Sequence, residues 1–238
     1  MKRLVKRVVR SGSCVEEFYC LASERREQRA PKKKKYKQDL RQLEANLKTA
    51  EKRLARILNC NFTYGDMLIT LDYAEENMRD REELLRDVQL FLRRLKREYA
   101  KEGITFKFVR VFGEVSTHTG ELVRPHHHLV MPAIDFEVIQ RQWKKGSVNY
   151  RRLRDQKDYS TMATYLLKNA RKDLPDHKKY SVSRGLKEPS WEEVDVDRFP
   201  PIQPPPGAIV MKREEYDPLR KRDYVRYIDK DNKAQNQG

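Results

Sequence analysis

Apolar positions along the chain change their period several times, and each change marks an element. Residues 4–9 and 14–21 are β-prone runs on either side of Ser11-Gly12, the pattern of a hairpin. Over 38–58, Leu40, Leu43, Leu47, Ala50, Leu54 and Ile57 recur every three or four residues and predict an amphipathic helix whose other face is mostly charged. Such a helix docks on a core or on a partner. Residues 67–73 (MLITLDY) read as a strand, and Leu85, Val88, Leu92, Leu95 and Tyr99 predict a helix over 79–99. Residues 104–115 and 123–131 predict two strands joined by the turn-rich stretch 116–120. Asp135 can cap a helix carrying Phe136, Ile139 and Trp143 that Gly146 ends; 148–153 then reads as a strand and 158–171 as a helix.

The order strand, helix, strand, strand, helix, strand, helix implies an α+β domain: an antiparallel sheet with helices packed on it, of the split β-α-β kind. The expected organisation is an N-terminal hairpin, basic connector (25–37) and helix over 1–60, the main domain over 61–188, and a proline-rich linker with a C-terminal tail over 189–238. Within that last part a strand is possible at 209–212, and 229–238 is polar enough to fray.

Composition narrows the choice of partner. Apolar residues make up 38% of the chain and charged residues 37%, so a compact core has to be concentrated, and the middle third is where it lies. Lysine and arginine number 52 against 36 acidic residues, a formal charge of +16. A charge of that size points to a polyanion, with nucleic acid the default, bound in a salt-dependent way. The three cysteines form no CxxC pair and suit a reducing cytosol. No run approaches the length of a membrane span and the basic start lacks an apolar signal core, so a cytoplasmic location is expected. No GxxxxGK[ST] loop is present, so strand separation would fall to a host helicase.

Candidate chemistry gathers in RPHHHLVM. On a strand, alternate side chains share a face, so His126 and His128 point the same way and His127 the other. Glu114, in the preceding strand, would sit beside or diagonal to His126 if the hairpin turns near 119 or 120. Two imidazoles and a carboxylate with open positions suit a divalent cation, with a buried polar network as the bland alternative. His118 and Glu121 lie in the loop and are expected to be solvated. Downstream, DYSTMATYLLK sets Tyr165 and Lys168 three residues apart on one side of a helix, where a cation would favour the phenolate of a tyrosine nucleophile. Tyr159 lies about 120° round that helix and reads as packing or base stacking.

In motif order over about 60–190, GDMLITLDY, the Gly113-Glu114 pair, RPHHHLVM, TyrLeuLeuLys and YSVSRGLKEP resemble rolling-circle replication initiators of the His-hydrophobic-His endonuclease superfamily. The resemblance implies a ferredoxin- or RRM-like nuclease core, His126 and His128 as metal ligands with Glu114 as the third, Mg²⁺ or Mn²⁺ as cofactor, Tyr165 as the nucleophile and Lys168 as its helper. One departure is His127, which stands where the family carries an apolar residue. It also implies single-stranded origin DNA as substrate, a 5′-phosphotyrosine with a free 3′-hydroxyl as product, and a host polymerase to extend it. Arg110, Arg151, Arg152 and Arg154 are candidates for contacts to the DNA backbone. A relaxase or single-strand transposase would use the same chemistry. An origin-binding protein that does not cut would use the charge alone, and a non-haem iron site would leave both the charge and TyrLeuLeuLys without a role.

Overall fold

A computed structural model describes residues 2–23, 40–170, 179–217 and 222–229, which form two compact units: 1–39 with 187–238, and 40–186. The basic connector at 25–37, Arg171 at the end of the last expected helix and the tail from 230 lie outside the described residues.

In the larger unit, helix α1 (Leu40–Asn61) is followed by β3 (Met67–Asp72), α2 (Arg81–Lys101), β4 (Val109–Val115), β5 (Leu122–Met131), α3 (Phe136–Gln142), β6 (Val148–Arg152), α4 (Ser160–Lys168) and the short β7 (Ser181–Val182). The strands make one antiparallel sheet in the order β6-β3-β5-β4-β7. Because β5 lies between β3 and β4, the crossover through α2 is a split β-α-β unit, as the element order implied. Asp80 starts α2 by accepting a hydrogen bond from the Glu83 N–H, and Asp135 does the same for α3 through Glu137.

The two-residue period of the strands sorts their side chains into two cores. Leu68, Val109, Val111 and Val130 pack under Leu54, Leu58, Met162, Ala163, Leu166 and Leu167, so α1 and α4 cover one face. Met67, Ile69, Leu71, Phe112, Leu129 and Met131 meet Leu84, Val88, Phe91, Leu95, Ile139 and Trp143, so α2 and α3 cover the other. Each fully buried leucine or valine contributes about 2 kcal/mol. Helix α1, which the sequence grouped with the hairpin, therefore belongs with the main domain: its Leu54 and Leu58 have no exposed surface and pack against α4 and the sheet.

The smaller unit holds β1 (Lys2–Ser11), β2 (Cys14–Ser23), β8 (Ser190–Asp195), β9 (Ile209–Asp217) and β10 (Arg222–Ile228), in the order β8-β1-β2-β10-β9. Here 189–238 departs from the expected linker and tail. Strand β8 pairs with β1, and Arg3, Arg7 and Arg10 meet Asp195, Glu193 and Glu192 across the join. The proline-rich stretch lies on the sheet: Ile202 is buried against Val15, Tyr19, Val225 and Tyr227, and the hydroxyls of Tyr19 and Tyr216 donate to the carbonyls of Pro200 and Phe199 at 3.0 and 2.6 Å.

Candidate active site

His126 and His128 project from β5 to the face covered by α1 and α4, and their Nε2 atoms lie 3.1 Å apart. Their other nitrogens are committed. His126 Nδ1 is 3.1 Å from the carbonyl oxygen of Arg124, which only accepts, so that nitrogen carries the proton and Nε2 presents its lone pair. His128 Nδ1 is 3.1 Å from the Thr70 hydroxyl of β3, its cross-strand partner. Burial, then His126 and Arg151, push the His128 imidazole down to about 3, so it stays neutral, the state in which an imidazole accepts a metal. Gly113 makes room for this arrangement. It stands opposite His126, and a Cβ there would lie 2.3 Å from His126 Nε2.

His127 points through the sheet to the α2 face and is completely buried. Its Nε2 is 3.0 Å from the Tyr73 hydroxyl and its ring stacks on Phe112 at 4.6 Å between centroids. Burial, followed by the charge of Arg110, depresses its pKa. The strand-parity expectation for the three histidines matches this placement, with His127 inside the second core.

Glu114 departs from its expected position. His126 is opposite Gly113 rather than beside Glu114, and an irregularity in the β4–β5 ladder between Gly113 and Val115 intervenes. The Glu114 carboxylate is buried in an ion pair with Arg81 of α2, whose guanidinium also lies over Phe112, on the face away from His126 and His128. Among the described residues no group of three histidine, cysteine or acidic side chains is assembled for a metal. Glu114→Gln would leave the Arg81 charge in a poorly hydrated place. It is expected to lower unfolding stability by about 2–3 kcal/mol, less than a fully buried pair because Arg81 is part-exposed, measured by urea unfolding of the metal-free protein.

Tyr165 arrives from the last turns of α4, where Met162, Ala163, Leu166 and Leu167 are buried and the tyrosine ring is left 39% exposed beside the histidines. Its ring centroid is 5.8 Å from that of His128, and the Arg151 guanidinium lies 5.6 Å over the ring. Both ends of the helix are tied. The Asp158 carboxylate accepts from the Ser160 N–H and hydroxyl, and Asn59 accepts from the Tyr159 N–H. At the other end the Asn169 side chain donates to the Tyr165 carbonyl and hydrogen-bonds His128, while its own carbonyl accepts from the Glu114 and Val115 N–H groups.

Lys168 is exposed and makes no hydrogen bond or ion pair among the described residues. Tyr159 is buried in the α1–α4 core, and burial pushes its phenol up to about 12. His118 and Glu121 are exposed in the hairpin loop. Of the four arginines, Arg151 alone meets the site. Arg152 donates to the Gly65 carbonyl at 3.1 Å, Arg154 is exposed, and Arg110 is half-buried on the opposite face, bonded to Ser181. Arg110 is corrected here: its strand parity matches Phe112, which turns it towards Tyr73 and His127. Thr70, Gly113 and Asn169 were not singled out by the sequence reading. Gly113 alone left a trace there, as half of the Gly113-Glu114 pair.

Residues 66–173 match the family model for replication-associated protein, of the ORF2 and gene 2 protein type. That segment carries β3 to α4, and with them His126, His128, Gly113, Arg151 and Tyr165. The likeness to replication initiators read from the motifs is thereby borne out over this segment, which places it among replication-associated proteins. No curated protein sequence and no solved structure matches the chain. No helix among the described residues is long and apolar enough to cross a membrane.

Proposed function

We propose that this replication-associated chain starts rolling-circle replication by nicking single-stranded DNA, with Tyr165 as the nucleophile. The observation that carries the reading is the meeting of an exposed tyrosine ring with the paired imidazoles, 5.8 Å from His128 and beneath the Arg151 guanidinium. A +16 chain supplies the attraction for a polyanion.

The residues fit a divalent cation such as Mg²⁺ or Mn²⁺. Two neutral imidazoles have Nε2 atoms 3.1 Å apart, a spacing open to two ligands at about 2.1 Å from one ion. Their outer nitrogens are already held by Arg124 and Thr70, the support that metal-bound histidines use. A bound cation would supply charge stabilisation for the phosphate oxygens during transfer.

The tyrosine Oη attacks the scissile phosphorus and loses its proton to solvent or a nearby base. The P–O3′ bond breaks in line, and the departing 3′-oxygen takes up a proton. A 5′-phosphotyrosine and a free 3′-hydroxyl result, and the phosphodiester energy is conserved for rejoining. Arg151 holds the ring and can face the phosphate, and Lys168, one turn on, offers a second cation to the strand. A host helicase and polymerase would open and extend the template.

Two outcomes test the reading. 3′-labelled single-stranded DNA and Mn²⁺ should transfer label to the protein, and EDTA should prevent it; salt-dependent binding without transfer would favour an origin-binding protein. Gly113→Ala should turn His126 aside and weaken Mn²⁺ binding about 10–100-fold, the range for lost ligand support, with the fold retained by circular dichroism.

A further inference from the structure

Resting on the reading that His126 and His128 hold a divalent cation, we propose that the carboxylate of their ligand set is Asp72, on β3, and not Glu114. Asp72 stands directly opposite His126 across the β3–β5 ladder, one pair on from Thr70 and His128. Opposed residues of an antiparallel pair project to the same face with Cβ atoms about 4.5–5.5 Å apart. Thr70 already shows the alignment by reaching His128 at 3.1 Å.

The backbone of Asp72 is fixed on both sides while its side chain is lightly held. Its N–H donates to the Ser147 carbonyl at 3.0 Å and its carbonyl accepts from the Trp143 indole at 3.0 Å. Gly146 approaches so closely that a Cβ there would lie 2.3 Å from the Asp72 carbonyl oxygen. The carboxylate, by contrast, has only long contacts with the Ser147 hydroxyl at 3.4 Å and the Asn149 amide at 3.3 Å. Among the described residues it is in no ion pair. A turn about its own Cα–Cβ bond carries it towards His126.

Glu114 has no such route. Its side chain is engaged by Arg81 on the opposite face, and the sheet stands between it and the histidines. Bringing it across would take a change in the β4–β5 register. Asp72 is thus a ligand placed by cross-strand pairing, with Ser147 and Asn149 left to orient its outer oxygen.

The test is direct Mn²⁺ binding to the full chain, read from the electron paramagnetic resonance signal of the free ion. Asp72→Asn and His128→Ala should each lose at least about tenfold in affinity, while Glu114→Gln, at a temperature where it is folded, should bind Mn²⁺ like the parent. Asparagine keeps the shape and the Ser147 and Asn149 contacts, and thermal unfolding of the variant verifies its fold. Parental binding by Asp72→Asn overturns the assignment whatever Glu114→Gln does. Parental binding by His128→Ala overturns the metal reading itself and the assignment with it, which separates the two failures.

Discussion

Tyr165→Phe is expected to abolish the covalent protein–DNA adduct completely while leaving the fold and DNA affinity nearly unchanged. The substitution removes one oxygen from a ring that is 39% exposed. Phenylalanine keeps the surfaces that meet His128 and Arg151, so stability should move by no more than about 0.5 kcal/mol, as for other surface changes. Affinity for single-stranded DNA, carried by the basic side chains, should stay within about twofold. Without the phenol no nucleophile is left within the site, and label should not transfer from 3′-labelled DNA on a denaturing gel. Tyr159→Phe is the matched control. That ring is buried in the α1–α4 core, and the variant should form adduct at the parental rate. Adduct formation by Tyr165→Phe would contradict the assignment.

The second large effect is expected at His128. Replacing it by alanine removes one imidazole of the pair and leaves Thr70 and Asn169 without their ring partner. If a cation supplies several kcal/mol of charge stabilisation to phosphoryl transfer, the loss amounts to about a thousandfold in nicking rate. His127→Ala should behave in the opposite manner. It opens a cavity beside Phe112 and strips the Tyr73 hydroxyl of a partner, costing about 2–4 kcal/mol of stability. At a temperature where that variant is folded, Mn²⁺ binding and adduct formation should persist. Nicking rates and urea unfolding curves of the two variants, taken together, read the two faces of β5 separately.

The division between those faces was legible in the sequence, because a strand alternates and three consecutive histidines must split two to one. The helices were equally legible: Leu54 and Ile57 of α1, and Leu92 and Leu95 of α2, recur with the helical period and are buried. What the sequence could not carry was the register of β4 against β5. An irregularity between Gly113 and Val115 turns Glu114 to the far face, and nothing in VFGEVSTHTGE marks it. Asp72 went unnoticed for a related reason: it is one carboxylate among 36 acidic residues until cross-strand pairing sets it opposite His126.

Proline-rich composition misled for a different physical cause. A run with few donors reads as an extended linker, and residues 199–202 are indeed extended, but Phe199 and Ile202 anchor them to a sheet whose strands come from both ends of the chain. Strand β8, SerTrpGluGluValAsp, lacks an alternating apolar face, and its partners are arginines about 190 positions away. Pairing of that kind is long-range information, which local periodicity does not hold.

Peptide mapping of the adduct formed on randomised single-stranded DNA with Mn²⁺ is the most direct measurement of the proposed chemistry. Trypsin releases residues 158–168, which contain both Tyr159 and Tyr165, and fragment masses locate the nucleotide within that peptide. Nucleotide mass on Tyr165 is the predicted result; nucleotide mass on Tyr159, or on a residue outside this peptide, would contradict it.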